Sequence, residues 1–357
     1  MTKFFEIDFL EAGNNGSGDA IAVRYADDGD VEYVHVIDGG YADDGDKIVE
    51  HINKYYGNPN FIDHMVLTHP DGDHAAGLKK ILEEFDIGIL WMNRPWNHIH
   101  ELIPLFEYEY TETGLTQRLK KDFSHTASLE EIAEENDVEI RDSFQGAQIG
   151  EFTVLAPSRN RYIQLIVDSE KTPEPERKAI MEGSIFQRAI TAIKNVVVEW
   201  GEENLKGDTE GTSAENESSI VQLAEMCGKK ILMTGDAGVG ALEEAYYYAL
   251  ALGIDLPGID RLDVPHHGSR RNVSPDVMDK WLGPKLASKS DDPTFHAIVS
   301  ANSNDIDHPK KAVIRALIHR GAKVVQTNGT IRTSMNAPER EGWSSATPLE
   351  YPADMEE

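Results

Sequence analysis

The apolar run 62–67 stops at Thr68-His69-Pro70-Asp71-Gly72-Asp73-His74, and a helix-like stretch, 75–85, follows at once. A strand, a polar turn and a helix in that order put four ionisable side chains, His69, Asp71, Asp73 and His74, on one short connection. Side chains splay apart at a strand end, so ligands at i, i+2, i+4 and i+5 divide between two adjacent cations; a helix would scatter them. The competing use of a DGD string is a turn whose carboxylates cap backbone amides. Two histidines at this spacing favour the metal reading.

Strands and helices alternate on either side of that turn. Strands are expected at 4–10 and 20–25, flanking the glycine-rich loop 13–19, and at 31–37 before Asp38-Gly39-Gly40, with a helix at 46–56. After a looser middle region, α/β punctuation resumes with strands at 219–224, 230–234, 261–264, 296–300 and 323–326 and helices at 240–252 and 309–320. Three of these later strand ends carry the same kind of chemistry. One runs into Gly235-Asp236, one into Pro265-His266-His267-Gly268-Ser269, and one through Asn302 to His308-Pro309. Sites in α/β sheets form where the loops after several strands converge. Taken singly, Asp236 reads equally as a helix N-cap, His266 as a packed histidine and His308 as a turn residue. Their joint occurrence points to a metal site.

Composition narrows the ligands and the partners. Cys227 is the only cysteine, so an internal disulfide or a cysteine-rich zinc site is ruled out and a metal must rest on His, Asp and Glu. Asp+Glu 63 against Lys+Arg 34 leaves a net charge of −29, which opposes broad binding to nucleic acid or anionic lipid. No run approaches the roughly 18 apolar residues of a membrane helix, and the N-terminal segment is acidic where a signal peptide is apolar; a cytoplasmic protein with no membrane partner is expected.

The order THPDGDH, NESSIVQL, ILMTGDAG, LDVPHHGS, SANSNDIDHP and TNGTI, with FLEAG and GDAIAVRY at the start, resembles the metallo-β-lactamase superfamily. It is most similar to the metallohydrolase domain of ComEC-type competence proteins and their stand-alone relatives. The resemblance implies an α/β fold, a four-layer αββα sandwich with a helical insertion or cap. The implied organisation is a hydrolase domain over 1–94 and 216–335, an insertion over 95–215 and a C-terminal tail over 336–357. It further implies two divalent ions, zinc or manganese. His69 and Asp71 would hold the first and Asp73 and His74 the second, with Asp236 bridging them. His267 falls at the position of the late superfamily histidine and is preferred over His266 as a second-metal ligand. Asp71 stands where the common HxHxDH pattern has histidine. The usual middle histidine is missing, and Asn216 lies near its place, where it would contact metal or substrate weakly.

The expected chemistry is hydrolysis by a water activated between the two ions, with Asp73 accepting its proton. Ser269, Arg270 and Arg271, then Lys310 and Lys311, form two short basic clusters suited to a phosphate, and Asn302, Asn328 and His308 belong to the same rim. A phosphodiester, from nucleic acid or a nucleotide-derived molecule, is the expected substrate. A lactone, thioester or amide is the rival, and a non-catalytic interaction module stabilised by metal is the reading from another class. The glycines of 235–240 fail the GxGxxG register, and the HisxHis pair His98/His100 lacks a neighbouring Asp-His.

Overall fold

The strand Thr2–Phe9 alternates Phe5, Ile7 and Phe9 with Glu6 and Asp8, and the structure sends these two sets to opposite faces. The next strand, Ala20–Asp27, does the same: Ile21, Val23 and Tyr25 face one way, Ala20 and Ala22 the other. In the computed structural model, which describes residues 2–14, 16–106, 110–169, 195–197 (backbone) and 199–356, these strands belong to the first of two seven-stranded sheets. Its order is Ile331–Met335, Thr2–Phe9, Ala20–Asp27, Glu32–Gly39, Phe61–Val66, Asp86–Trp91 and Glu139–Arg141. Pairing is antiparallel up to Glu32–Gly39 and parallel beyond it.

The second sheet runs Ala322–Gln326, Phe295–Val299, Arg261–Asp263, Lys229–Met233, Val221–Met226, Phe152–Ala156 and Gln148–Ile149. Phe5, Val23, Ile37 and Val66 of the first sheet and Phe152, Met233, Ile298 and Val325 of the second fill the space between them. Helices cover both outer faces. Ile48 and Ile52, four apart on Asp44–Tyr55, pack on the first sheet with Leu78 and Ile81; Leu242, Trp281, Val313 and Leu317 pack on the second. The result is the expected four-layer αββα sandwich. No helix among the described residues is long and apolar enough to cross a membrane.

The region expected as an insertion, 95–215, is not a single piece. Glu139–Arg141 pairs with Asp86–Trp91, and Phe152–Ala156 pairs with Val221–Met226, so 139–156 supplies an edge to each sheet. The apolar stretch 149–156, whose pattern predicts one strand, turns at Gly150 (φ 59°), so Phe152–Ala156 forms a hairpin with Gln148–Ile149. Outside the sandwich stand the helices Glu112–Asp122 and Arg159–Asp168, which share a core of Trp96, Leu115, Leu119, Phe123, Tyr162 and Ile166. The charged amphipathic stretch 177–194, whose sequence pattern predicts a helix, lies outside the described residues.

The expected tail, 336–357, is tied down. Glu6 and Asp8, fully buried on the helix side of the first sheet, are neutralised by Arg24, Arg332 and the tail's Arg340, and His51 Nε2 lies 3.1 Å from Asp8. The Leu349 amide donates to Val324 O at 2.8 Å, and Asp354–Glu356 pairs antiparallel with Asn195–Val197. Phe152, fully buried between the sheets, sets a measurable scale for this packing. Phe152→Ala is expected to lower unfolding stability by about 3–5 kcal/mol, read as a lower denaturant midpoint at unchanged m-value.

Candidate metal centre

The parallel arrangement brings the ends of Glu32–Gly39, Phe61–Val66, Lys229–Met233, Arg261–Asp263 and Phe295–Val299 to one edge of the sandwich. After Phe61–Val66 the chain turns through His69 and enters the short helix Gly72–Ala75, which orients Asp73 and His74. This turn packs so tightly on the glycine-rich loop that a Cβ at Gly18 would run into Asp73 O. From the other sheet come Asp236, after Lys229–Met233, and the His266-His267 pair, after Arg261–Asp263.

Seven predicted ligands meet here, in two groups that share Asp236. Around Asp236 Oδ2 lie His69 Nε2 at 3.7 Å and His266 Nε2 at 3.5 Å, with Asp71 Oδ2 3.7 Å from His69 Nε2. Around Asp236 Oδ1 lie His74 Nε2 at 3.3 Å and His267 Nε2 at 3.8 Å, with Asp73 Oδ2 3.9 Å from His267 Nε2. Donors about 2.1 Å from a tetrahedral ion lie ~3.4 Å from one another; the donor atoms of Asp73, His74 and His267 all lie within 4.8 Å of one another, as do those of Asp19, His74 and Asp236 and those of Asp38, His69 and His74, so these sets could hold a small dication. Buried polar atoms are ordinarily paired, yet His69 Nε2, His74 Nε2, His267 Nε2 and Asp236 Oδ1 make no hydrogen bond of acceptable geometry within the protein. The residues therefore fit the metal the sequence implies. Both adjacent histidines face the centre, on opposite sides of Asp236.

Residues that the sequence reading passed over hold the ligands in place. Asp38 takes His74 Nδ1 at 2.7 Å, the Thr68 hydroxyl at 2.5 Å and the Thr68 amide at 2.8 Å; the same hydroxyl lies 3.1 Å from His69 Nδ1. These contacts direct both Nε2 atoms inward. Asp263 Oδ2 accepts from the amides of Thr234 and Gly235 at 3.1 and 3.3 Å and so fixes the loop that carries Asp236. The available signal was positional: Asp38, like Asp236, ends a strand immediately beside glycine.

The expected substrate contacts divide. His308 stacks on His266 with ring centroids 5.8 Å apart, and its Nδ1 lies 3.2 Å from Asp305, which accepts from Ser17 at 2.7 Å. Asn216 lies 3.0 Å from His266 Nδ1. Ser269 is buried and its amide closes the turn onto His266 O at 2.8 Å. Asn302 is buried too, its amide bound to the carbonyls of Ala12 and Gly13, so it joins two loops instead of facing the rim. The basic clusters meet acceptors of this chain: Arg271 pairs with Glu210 at 2.9 Å, Lys310 with Asp307 at 3.2 Å and Lys311 with Asp354 at 3.0 Å, while Arg270 reaches Glu356 O at 3.4 Å. Asn328 lines a groove with Thr327, Arg332 and Trp343.

Without a cation the cluster balances its own charge. Burial alone would raise the Asp236 pKa, but His266, His74 and His267 hold it well below the usual carboxylate range. Burial opposes charge on the imidazoles as well. Asp236 and Asp38 nevertheless push His74 well above its ordinary value, and Asp236, Asp73 and Asp19 take His267 to about 9. Burial wins at His266, whose pKa is lowered.

Residues 14–157 match the model of the metallo-beta-lactamase superfamily. The two packed sheets flanked by helices are consistent with a metallo-β-lactamase sandwich fold. Among solved structures the chain is similar to a mutant of the CmlA beta-hydroxylase, at 11% identity and a TM-score of 0.42, over 93% of this chain and 54% of that one. It is also similar to the metallo-beta-lactamase SMB-1 in complex with mercaptoacetic acid (12%, TM-score 0.28, 69% of this chain and 73% of that one). A third likeness is to a metallo-beta-lactamase from Cronobacter sakazakii with a mutated HARLDQ motif (11%, TM-score 0.28, 68% of each chain). The chain spans about half the length of the hydroxylase it matches, and no curated protein matches it.

The raised histidines set a pH dependence. His267 titrates near 6.5 in the unfolded chain and near 9 in the folded metal-free chain. Its contribution to stability is full below pH 6.5 and disappears as pH rises through 9. Chelator-treated protein is expected to melt at progressively lower temperature between pH 6.5 and 9.5, and added zinc, which binds neutral imidazole, should reverse that trend. A flat or rising Tm in the chelated protein would contradict the charge balance described.

Proposed function

We propose that this protein is a binuclear metal-dependent hydrolase of a phosphodiester. The observation that carries the reading is Asp236, whose two oxygens each face a separate group of imidazole and carboxylate donors. His69, Asp71 and His266 would hold one ion and Asp73, His74 and His267 the other, with zinc or manganese suiting the mixed nitrogen and oxygen set. Such a pair of dications supplies an activated water and polarises the scissile oxygen.

The chain's own residues do the remainder. The Asp73 side chain is 29% exposed and lies at the mouth of the cluster, where it can accept a proton from the attacking water. His308, held by Asp305 and stacked on His266, is placed against the leaving group. Lys310 and Arg270 lie close by in sequence to receive a phosphate, Lys310 exchanging Asp307 for it. The ComEC-type order of motifs supports a nucleic acid or nucleotide-derived substrate. The net charge of −29 and the carboxylates pairing the rim cations favour a small phosphodiester over a long duplex.

Hydrolysis of bis-p-nitrophenyl phosphate, lost on chelation and restored by zinc or manganese, is the expected result. Asp236→Asn and Asp73→Ala should each reduce kcat by on the order of a hundredfold or more, beyond what removal of an outer-shell partner costs, with the far-UV spectrum unchanged. Faster turnover of a p-nitrophenyl acyl ester would move the substrate to the lactone, thioester or amide class. Two bound ions with neither activity would leave an interaction module.

A further inference from the structure

His266 enters the centre through an unusual backbone. His266 (φ 48°, ψ 54°), His267 (φ 53°, ψ 21°) and Gly268 (φ 84°) are all left-handed in succession, a conformation that residues with a Cβ keep only when their surroundings impose it. Backbone geometry aims the ring but does not make it a ligand. A neutral imidazole binds metal through the nitrogen that lacks the proton, and either nitrogen can carry it.

We propose that Asn272 is a positioning residue that fixes the His266 tautomer and so makes Nε2 a metal donor; the inference rests on the binuclear reading above. Asn272 is fully buried on the turn that follows the histidines. Its Nδ2 donates to Asp236 O at 2.8 Å and lies 3.4 Å from Ala237 O. Carbonyl oxygens only accept, so the amide nitrogen must face them and Oδ1 must point the other way, where it lies 2.9 Å from His266 Nδ1. An amide oxygen only accepts as well. The proton therefore sits on Nδ1, and the Nε2 lone pair faces Asp236 Oδ2 at 3.5 Å. Asn216 approaches the same Nδ1 at 3.0 Å, but its other neighbour is the Thr212 hydroxyl at 2.9 Å, which can donate or accept. Asn216 follows the tautomer, whereas Asn272, bound to two carbonyls, dictates it. The same amide also links the Asp236 backbone to the His266 ring, which fixes the spacing between the shared carboxylate and this ligand.

The test uses the full-length protein, with imidazole 15N resonances for the tautomer and titration with zinc or manganese for the ions. In metal-free wild type, the His266 signal, identified by its loss in His266→Gln, should report a proton on Nδ1; a proton on Nε2 overturns the proposal. Asn272→Leu, close in volume but without the acceptor, should lose this preference and bind one of two ions 10–100-fold more weakly while the other is unaffected. Asn272→Asp, which keeps an acceptor oxygen at Nδ1, should restore both. Wild-type binding of both ions by Asn272→Leu, an equal loss at both, or failure of a folded Asn272→Asp to restore them would show a merely structural residue and overturn the proposal. Should Asn272→Leu not fold, the wild-type tautomer and Asn272→Asp still decide. If wild type binds fewer than two ions, the functional reading fails separately, and the tautomer signal still judges Asn272.

Discussion

Burial of the Asp236 carboxylate among imidazoles is the constraint on which the rest of the site depends. A carboxylate removed from water is costly unless compensated, and here the compensation comes from both sheets: His69 and His74 from the first, His266 and His267 from the second. The two halves of the sandwich are thus coupled through one side chain as well as through the apolar layer of Phe5, Phe152, Met233 and Ile298. Each Asp236 oxygen serves one side, so the same residue that unites the halves also divides the donors into two groups.

A second ring of acids surrounds the first. Asp38 binds the outer nitrogen of His74, Asp263 pins the loop of Asp236, and Asp19 lies 3.7 Å from His267 Nδ1. Burial raises the pKa of Asp263 and of Asp19, each reinforced by neighbouring carboxylates. Asp38 with His69 and His74, and Asp19 with His74 and Asp236, also bring donor atoms within 4.8 Å of one another, so these two acids both orient histidines and border the cation positions. Asn272 belongs to this ring and differs from its neighbours in being neutral, so it sets a proton position at His266 without adding charge.

The rim and the segments outside the sandwich surround the candidate centre. Arg271, Lys310 and Lys311 each have a carboxylate partner, so under the proposed phosphodiester reading a phosphate would have to compete for them. The helices Glu112–Asp122 and Arg159–Asp168 stand on the side of the first donor group, where Phe123, Tyr162 and Ile166 share a small cleft with His69 and Pro70.

The sequence by itself determined the period-2 strands, the amphipathic helices and the chemical identity of the candidate donors, because alternation and residue type are local properties. His69, Asp71, Asp73, His74 and Asp236 were legible for that reason: each follows an apolar strand. The choice between His266 and His267 was not legible, because adjacent residues differ only in direction, and direction came from three successive left-handed residues that spacing does not reveal. That His266 reaches Asp236 from the second sheet is something only the meeting of the two sheets could show. Tertiary structure also decided that 139–156 belongs to the sheets, that the basic clusters are paired, and that Asn302 joins loops. Each of these depends on partners distant in the chain, whose approach is set by packing and not by any local pattern.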